Sequence, residues 1–326
     1  MVEMQTLKRA VVTGGAGFIG SHVCSALLET GWRVECVDNG STGRRDNLAG
    51  LLDNPYLRRH FADVSYGLDI TGPVDLVLHL ASPASPADYL RLPIETLDAS
   101  SQGTRNALQL ALEKSARFVF ASTSEVYGDP LQHPQREDYW GNVNPIGPRA
   151  VYDEAKRFGE ALVMAHRRVY DMNAGIVRIF NTYGPRMRAN DGRAVPTFID
   201  QALRGEPLTV AGDGTQTRAL CYVDDTVRAI LAIAASDHVG PVNIGNPHEI
   251  TMLELARTIL RVVGSSSPIE FIELPTDDPR VRCPDITRAR QLLGWEPVWS
   301  LDDGLTATVQ WFREQVAAQQ VAAASR

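Results

Sequence analysis

Two hydrophobic patterns take turns along the first half of the chain. Short apolar runs rich in branched residues are followed by stretches in which apolar positions recur every three or four residues. Residues 9–13 (Arg-Ala-Val-Val-Thr) read as a buried strand that stops at Gly14. Phe18, Ile19, Val23, Ala26 and Leu27 then keep helical spacing as far as Thr30-Gly31. Residues 33–37 form the next strand, which ends at Asp38-Asn39-Gly40. Further strands are expected at 75–80, 117–121 and 175–180, with helices near 93–114 and 151–169. This strand–turn–helix–strand order predicts an α/β fold, a Rossmann-type doubly wound parallel sheet.

After about residue 181 the pattern loosens, and turn residues such as Ala211-Gly212-Asp213-Gly214 separate shorter elements. Helical spacing returns near 195–204, 224–235, 251–263 and 301–316. The expected organisation is a dinucleotide-binding domain over 1–180 plus about 219–245, and a smaller mixed α/β substrate domain over 181–218 and 246–316. The low-complexity tail, 317–326, is expected to fray.

Composition narrows the function classes. The net charge of −7 over 326 residues argues against a nucleic-acid partner. No apolar run reaches the roughly 18 residues of a membrane span. Cys24, Cys36, Cys221 and Cys283 are scattered and form no CxxC pair, which disfavours a disulfide framework or a zinc site. None of the seven histidines sits at a metal-ligand spacing, so no metal is expected. Met1 to Lys8 leads directly into the first strand without a signal-peptide layout. A soluble protein in a reducing, cytoplasmic compartment is therefore expected.

Gly14, Gly17 and Gly20 form a G-x-x-G-x-x-G turn between strand and helix. The first allows a tight turn, the second a close backbone approach to a pyrophosphate, the third close packing of helix on strand. The N–H groups of the following helix, which opens with Phe18 and Ile19, would face the phosphates. Asp38, eighteen residues after Gly20, is placed to accept from both ribose hydroxyls. Its carboxylate would repel a 2′-phosphate, so NAD is the expected cofactor. Such turns also join strands to helices without binding anything; the order of strand, helix and acid favours the dinucleotide.

Tyr152 and Lys156 are four apart on a predicted helix and share one face. A phenol titrates near 10, too high for a useful base unless cations favour its phenolate. An ammonium beside it and a nicotinamide above it would do so. Thr123 emerges at the carboxyl end of the 117–121 strand, where its hydroxyl can reach the same substrate oxygen. Thr123 and Ser124 could instead be caps or turn formers, and Glu125 a solvated loop acid.

Longer stretches carry a resemblance. They include His79–Pro86, Ala121–Pro130, Glu137–Arg149, Arg178–Met187 and Asn190–Arg193. Over roughly 9–315 the chain resembles the extended short-chain dehydrogenase/reductases that remodel nucleotide sugars, and within them UDP-glucuronate decarboxylases. The resemblance implies catalytic roles for Thr123, Glu125, Tyr152, Lys156 and Arg282, the last before Cys283-Pro284-Asp285. It implies nucleotide-sugar contacts from Ser124, Asn181, Arg193, Gln216, Arg218 and Arg282. Asn39, Asp63 and Val64 match cofactor-contacting positions. The sugar-nucleotide dehydratases place an aspartate where this chain has Ser124, which disfavours dehydration. Ser100 replaces a usual asparagine and Ala211 a usual tyrosine, which bears on UDP against dTDP.

The reaction so implied is decarboxylation of UDP-glucuronate to UDP-xylose through a 4-keto intermediate. Alternatives are a 4-epimerase of the same sugar, a dTDP-sugar 4,6-dehydratase, and an inert NAD-sensing protein on the same fold. The resemblance also implies a homodimer packed through the helices near 95–114 and 151–168.

Overall fold

The computed structural model describes residues 7–274 and 281–324; Arg280 of the motif before Cys283 lies outside them. The first strands are β1 (Arg9–Thr13), β2 (Arg33–Asp38), β3 (Leu57–Phe61), β4 (Leu76–His79), β5 (Arg117–Thr123) and β6 (Ala174–Ile179). With the strand Pro241–Ile244 they form a seven-stranded parallel sheet, ordered Pro241–Ile244, β6, β5, β4, β1, β2, β3. The order reverses beside β1, between β4 and β2. That is the switch point of a doubly wound sheet, where a crevice opens at the strands' carboxyl ends. The central strands read as near-continuous apolar runs because helices cover both faces.

Most elements lie where hydrophobic spacing predicts, among them the helices Phe18–Glu29, Ala150–Tyr170, Ala194–Arg204, Val223–Ala235 and Met252–Val263. β3 escapes the apolar pattern because it is an edge strand, with Arg58, Arg59 and Phe61 exposed. The single helix expected over 93–114 is broken. Helices Pro86–Arg91 and Pro93–Asp98 each open on a proline; Ala99–Gly103 is a widened π turn, and Thr104–Lys114 resumes the α-helix. The last helix, Leu301–Ala324, continues through most of the tail expected to fray.

The later segments build a smaller layer above the crevice. Leu208–Ala211 pairs with Ile269–Ile272, and Thr217–Ala219 pairs with Glu249–Thr251. The helix Ala150–Tyr170 is locked to the sheet by a bidentate ion pair. Arg178 Nε and Nη2 on β6 donate to the two Glu160 carboxylate oxygens at 2.9 and 2.7 Å, and Ser122 Oγ on β5 donates to Oε1 at 2.6 Å. Such a fork fixes direction as well as distance. It sets the helix face that carries Tyr152 and Lys156.

Candidate active site

A cleft of about 680 Å³ runs from the Gly-rich turn, past the end of β5, to the smaller layer. Every site residue singled out from the sequence lines it: the three glycines, Phe18, Ile19, Asp38, Asn39, Asp63 and Val64 at one end, and Thr123, Ser124, Glu125, Tyr152 and Lys156 at the centre. Asn181, Arg193, Gln216, Arg218 and Arg282 complete the other end.

The turn demands its glycines. Gly14 has φ +69°, and a Cβ there would lie 2.8 Å from the backbone nitrogen of Ala81. A Cβ on Gly20 would come within 2.0 Å of the Gly14 carbonyl oxygen. Both are required by the backbone path that leaves a cradle ahead of the helix N-terminus. Asp38 Oδ2 accepts from Ala16 N–H at 3.0 Å and Oδ1 from Gly40 N–H at 2.8 Å. Burial still raises its carboxyl above the usual range. Each oxygen keeps a lone pair for a hydroxyl donor. Asp63 accepts from Asn39 Nδ2 and Ser65 N–H, both at 2.8 Å.

At the centre, Thr123 Oγ1 accepts from the Glu125 N–H at 3.2 Å, so the cap reading of this threonine is true as well. Tyr152 is buried, and burial pushes its phenol upward, against a hydrogen bond with Thr123. Lys156 Nζ donates to the Ala121 carbonyl at 2.9 Å and lies 5.8 Å from the centre of the Tyr152 ring. Burial lowers its ammonium to about 8. The lysine is thus held beneath the tyrosine, not against its hydroxyl.

Glu125 sits between two arginines. Arg149 Nη2 donates to Oε2 at 2.6 Å; Arg282 Nη1 donates to Oε1 and its Nη2 to the Gly128 carbonyl at 3.0 Å. Burial alone would raise the Glu125 carboxyl, but Arg282 and Arg149 outweigh it and hold it at about 2. Glu125 is an ionised anchor for the buried Arg282 and the half-buried Arg149, and not a solvated loop acid.

Further along, Arg193 pairs with Asp191, with Nη2 2.7 Å from Oδ2, and its guanidinium lies 6.0 Å from the Phe18 ring centre. Gln216 Nε2 donates to the Ala211 carbonyl at 2.8 Å, and Arg218 Nη1 to the Thr217 carbonyl at 2.8 Å.

Three residues of this centre escape sequence reasoning. Arg149 lies one helical turn before Tyr152, and that i, i+3 spacing was its available signal. Tyr89 stacks on Tyr152 with ring centres 5.2 Å apart and planes 6° from parallel. Its buried hydroxyl has no hydrogen-bond partner among the described residues. Asp153 is buried with Oδ1 likewise unpartnered. Burial first, and then the Glu125 charge, raises its carboxyl to about 7, against the pull of Arg149 and Arg282.

A glycine cradle thus lies at the sheet's switch point, with Thr123, Tyr152 and Lys156 at the adjacent strand end. The chain belongs to the NAD dependent epimerase/dehydratase family, which it matches over residues 10–245. Within that family it is 50% identical over 308 residues to UDP-glucuronic acid decarboxylase 1 of Arabidopsis thaliana, covering 94% of this chain and 70% of that one. UDP-glucuronic acid decarboxylase 5 of the same plant is 49% identical over 310 residues, covering 95% of this chain and 90% of its own. Among solved structures, UDP-glucuronic acid 4-epimerase from Bacillus cereus, in complex with UDP-glucuronic acid and NAD, superposes with a TM-score of 0.84. It is 29% identical and covers 94% of this chain and 99% of its own. No helix of the described residues is long and apolar enough to cross a membrane.

Proposed function

We propose that this protein is an NAD-dependent carboxy-lyase that converts UDP-glucuronate to UDP-xylose and CO₂. One observation carries the reading: the buried Arg282 and the half-buried Arg149 converge on Glu125 beside Tyr152, in a chain half-identical to proteins named for this reaction. Arg149 and Arg282 are suited to receive a hexuronate carboxylate, with Glu125 holding the forks in place between turnovers. Ser124 has no acidic proton to give a departing C6 hydroxyl, which leaves dehydration without its acid.

The cradle fits a dinucleotide: the Gly14 and Gly20 backbones approach where a Cβ would clash, and Asp38 keeps acceptors at the strand end. Bound NAD would take a hydride from C4 of the sugar and return it at the end of the cycle. Tyr152 removes the proton of the 4-hydroxyl, and Thr123 holds the same oxygen. Lys156 steadies the cofactor side of the site and lends positive charge beneath the phenol. The ketone formed at C4 is β to the carboxylate. When the C5–C6 bond breaks, its electron pair passes into the ketone as an enolate and CO₂ departs. Arg149 and Arg282 hold the carboxylate until it leaves, and a proton from solvent then adds to C5 in its place, while Tyr152 returns its own proton to the 4-oxygen. Asn181, Arg193, Gln216 and Arg218 are assigned to the nucleotide-diphosphate end, where amide and guanidinium donors suit phosphate oxygens.

The division into a dinucleotide-binding and a smaller substrate-binding part follows the same residues as above. Exposed apolar side chains at Ile94, Leu97 and Phe158 on the helices near the site support a homodimer. Four free, buried cysteines support a reducing, cytoplasmic setting.

The test is incubation of the purified chain with UDP-glucuronate and NAD, followed by mass spectrometry and NMR. UDP-xylose formation supports the reading. UDP-galacturonate at unchanged mass would replace it with 4-epimerisation.

A further inference from the structure

Outside the cleft, three chain segments distant in sequence bring together an imidazole, a carboxylate and a thiol. His133 Nε2 lies 2.9 Å from Glu249 Oε2, and with Cys283 Sγ these ligand atoms all lie within 4.8 Å of one another. It is such a grouping of three different donor types that a borderline-soft divalent ion prefers. We propose that His133, Glu249 and Cys283 form a binding site for a single zinc ion, with water in the fourth, outward position.

The geometry is close to what the ion needs. Ligands bound tetrahedrally at about 2.0–2.3 Å stand roughly 3.3–3.7 Å apart. His133 and Glu249 must part by about half an ångström, and Cys283 Sγ already lies within 4.8 Å of both ligand atoms. Rotation of the thiol would exchange its contact with the Pro247 carbonyl, 3.3 Å away, for the metal. The remaining Glu249 oxygen accepts from Thr217 Oγ1 at 2.5 Å, which orients the carboxylate as outer-shell partners of metal ligands do. Backbone bonds fix the frame. Cys283 N–H donates to Gln135 Oε1 and Gln135 N–H to the Cys283 carbonyl, both at 2.9 Å.

Charge and access also agree. One thiolate and one carboxylate neutralise a dication, while the imidazole binds uncharged. The His133 and Glu249 side chains are 41% and 27% exposed, so an ion enters from solvent and meets the buried sulfur last. Occupancy would clamp the segment that carries Arg282 to the 133 loop and to the strand Glu249–Thr251.

The experiment uses the full chain, stripped with a chelator and titrated with Zn²⁺ alone by calorimetry, and with Co²⁺ by absorption spectroscopy. One ion per chain and a thiolate-to-cobalt charge-transfer band are expected. His133→Ala and Cys283→Ala should each weaken zinc binding at least about tenfold, and Cys283→Ala should abolish the band. Cys221→Ala, at a buried thiol elsewhere, should change neither. Circular dichroism without metal shows that the variants fold. No binding by the parent chain, or binding by both site variants as tight as the parent's, overturns the site and leaves a surface ion pair beside a buried thiol. None of these readouts requires turnover, so they stand apart from the reaction proposed above.

Discussion

The chemistry of single residues is decided by their neighbours. Glu125 in isolation is a loop acid; between Arg149 and Arg282 it becomes the hub of a largely desolvated ion cluster whose members depend on each other. Replacing one partner strands the rest. Arg282→Ala is expected to lower stability by about 3 kcal/mol in a urea titration, because Glu125 then loses one of its two cations. Arg282→Lys keeps the charge but loses the planar fork, and kcat/KM for UDP-glucuronate should fall by about 100-fold in steady-state assays. Asp153 supplies a pH test. Its carboxyl is raised from 3.8 to about 7 in the folded protein, so folding favours its protonated form. The stability it contributes is fully present below 3.8 and is lost as the pH rises through about 7. Asp153→Asn cannot ionise, so its melting temperature relative to the parent should climb between pH 5 and pH 8. The gain at pH 8 should be on the order of 1 kcal/mol or more. A flat difference across that range would show that Asp153 is already ionised at pH 5.

Elements act by holding such residues at fixed depth. The helix Ala150–Tyr170 approaches β5 so closely that a Cβ on Gly159 would lie 2.3 Å from Phe120 Cζ. The same ring lies 5.1 Å from Lys156 Nζ. Gly159→Ala must therefore push a wholly buried ring or lift the helix, although alanine is the better helix former. It is expected to destabilise by about 1–3 kcal/mol and to lower kcat more than it changes KM, because Lys156 shifts with Phe120. A more stable variant with unchanged kcat would show that Phe120 moves freely. The neighbouring helical stretch teaches the opposite lesson. Periodicity over 93–114 reads as one helix, yet Ala99–Gly103 takes a wider turn in which Gly103 lets Val64 approach; a Cβ there would lie 2.6 Å from Val64 Cγ2. One inserted residue barely disturbs apolar spacing, so a π turn leaves little trace in the pattern.

At the scale of the whole molecule, the cleft exists because the sheet reverses its order beside β1 and the later segments close over that edge. The exposed face of the helices bearing Ile94, Leu97 and Phe158 belongs to the same scale. If the homodimer uses it, the parent chain will elute in light-scattering chromatography at twice its monomer mass. Phe158→Glu combined with Leu97→Glu should then yield monomers, since burying charge in an apolar interface costs several kcal/mol. A parent chain that is monomeric at micromolar concentration would remove the dimer.

What the chain alone determined is what depends on near neighbours. The glycine turn, the strands β1, β2, β4, β5 and β6, most helices, and the pairing of Tyr152 with Lys156 are written in spacings of a few residues. Hydrophobic period and turn chemistry act over that range. The long motifs added the residue types of the site, every one of which lines the cleft. Only the tertiary structure decided who meets whom across the chain. The edge strand β3 hides because one face never needed to be apolar. Tyr89 reaches Tyr152 from a separate short helix, and Arg282 reaches Glu125 across 157 residues. His133, Glu249 and Cys283 converge although no local spacing marks them as ligands. Contacts closed by folding over such separations leave no periodic signal, because the geometry that creates them belongs to the packed sheet and not to any one segment.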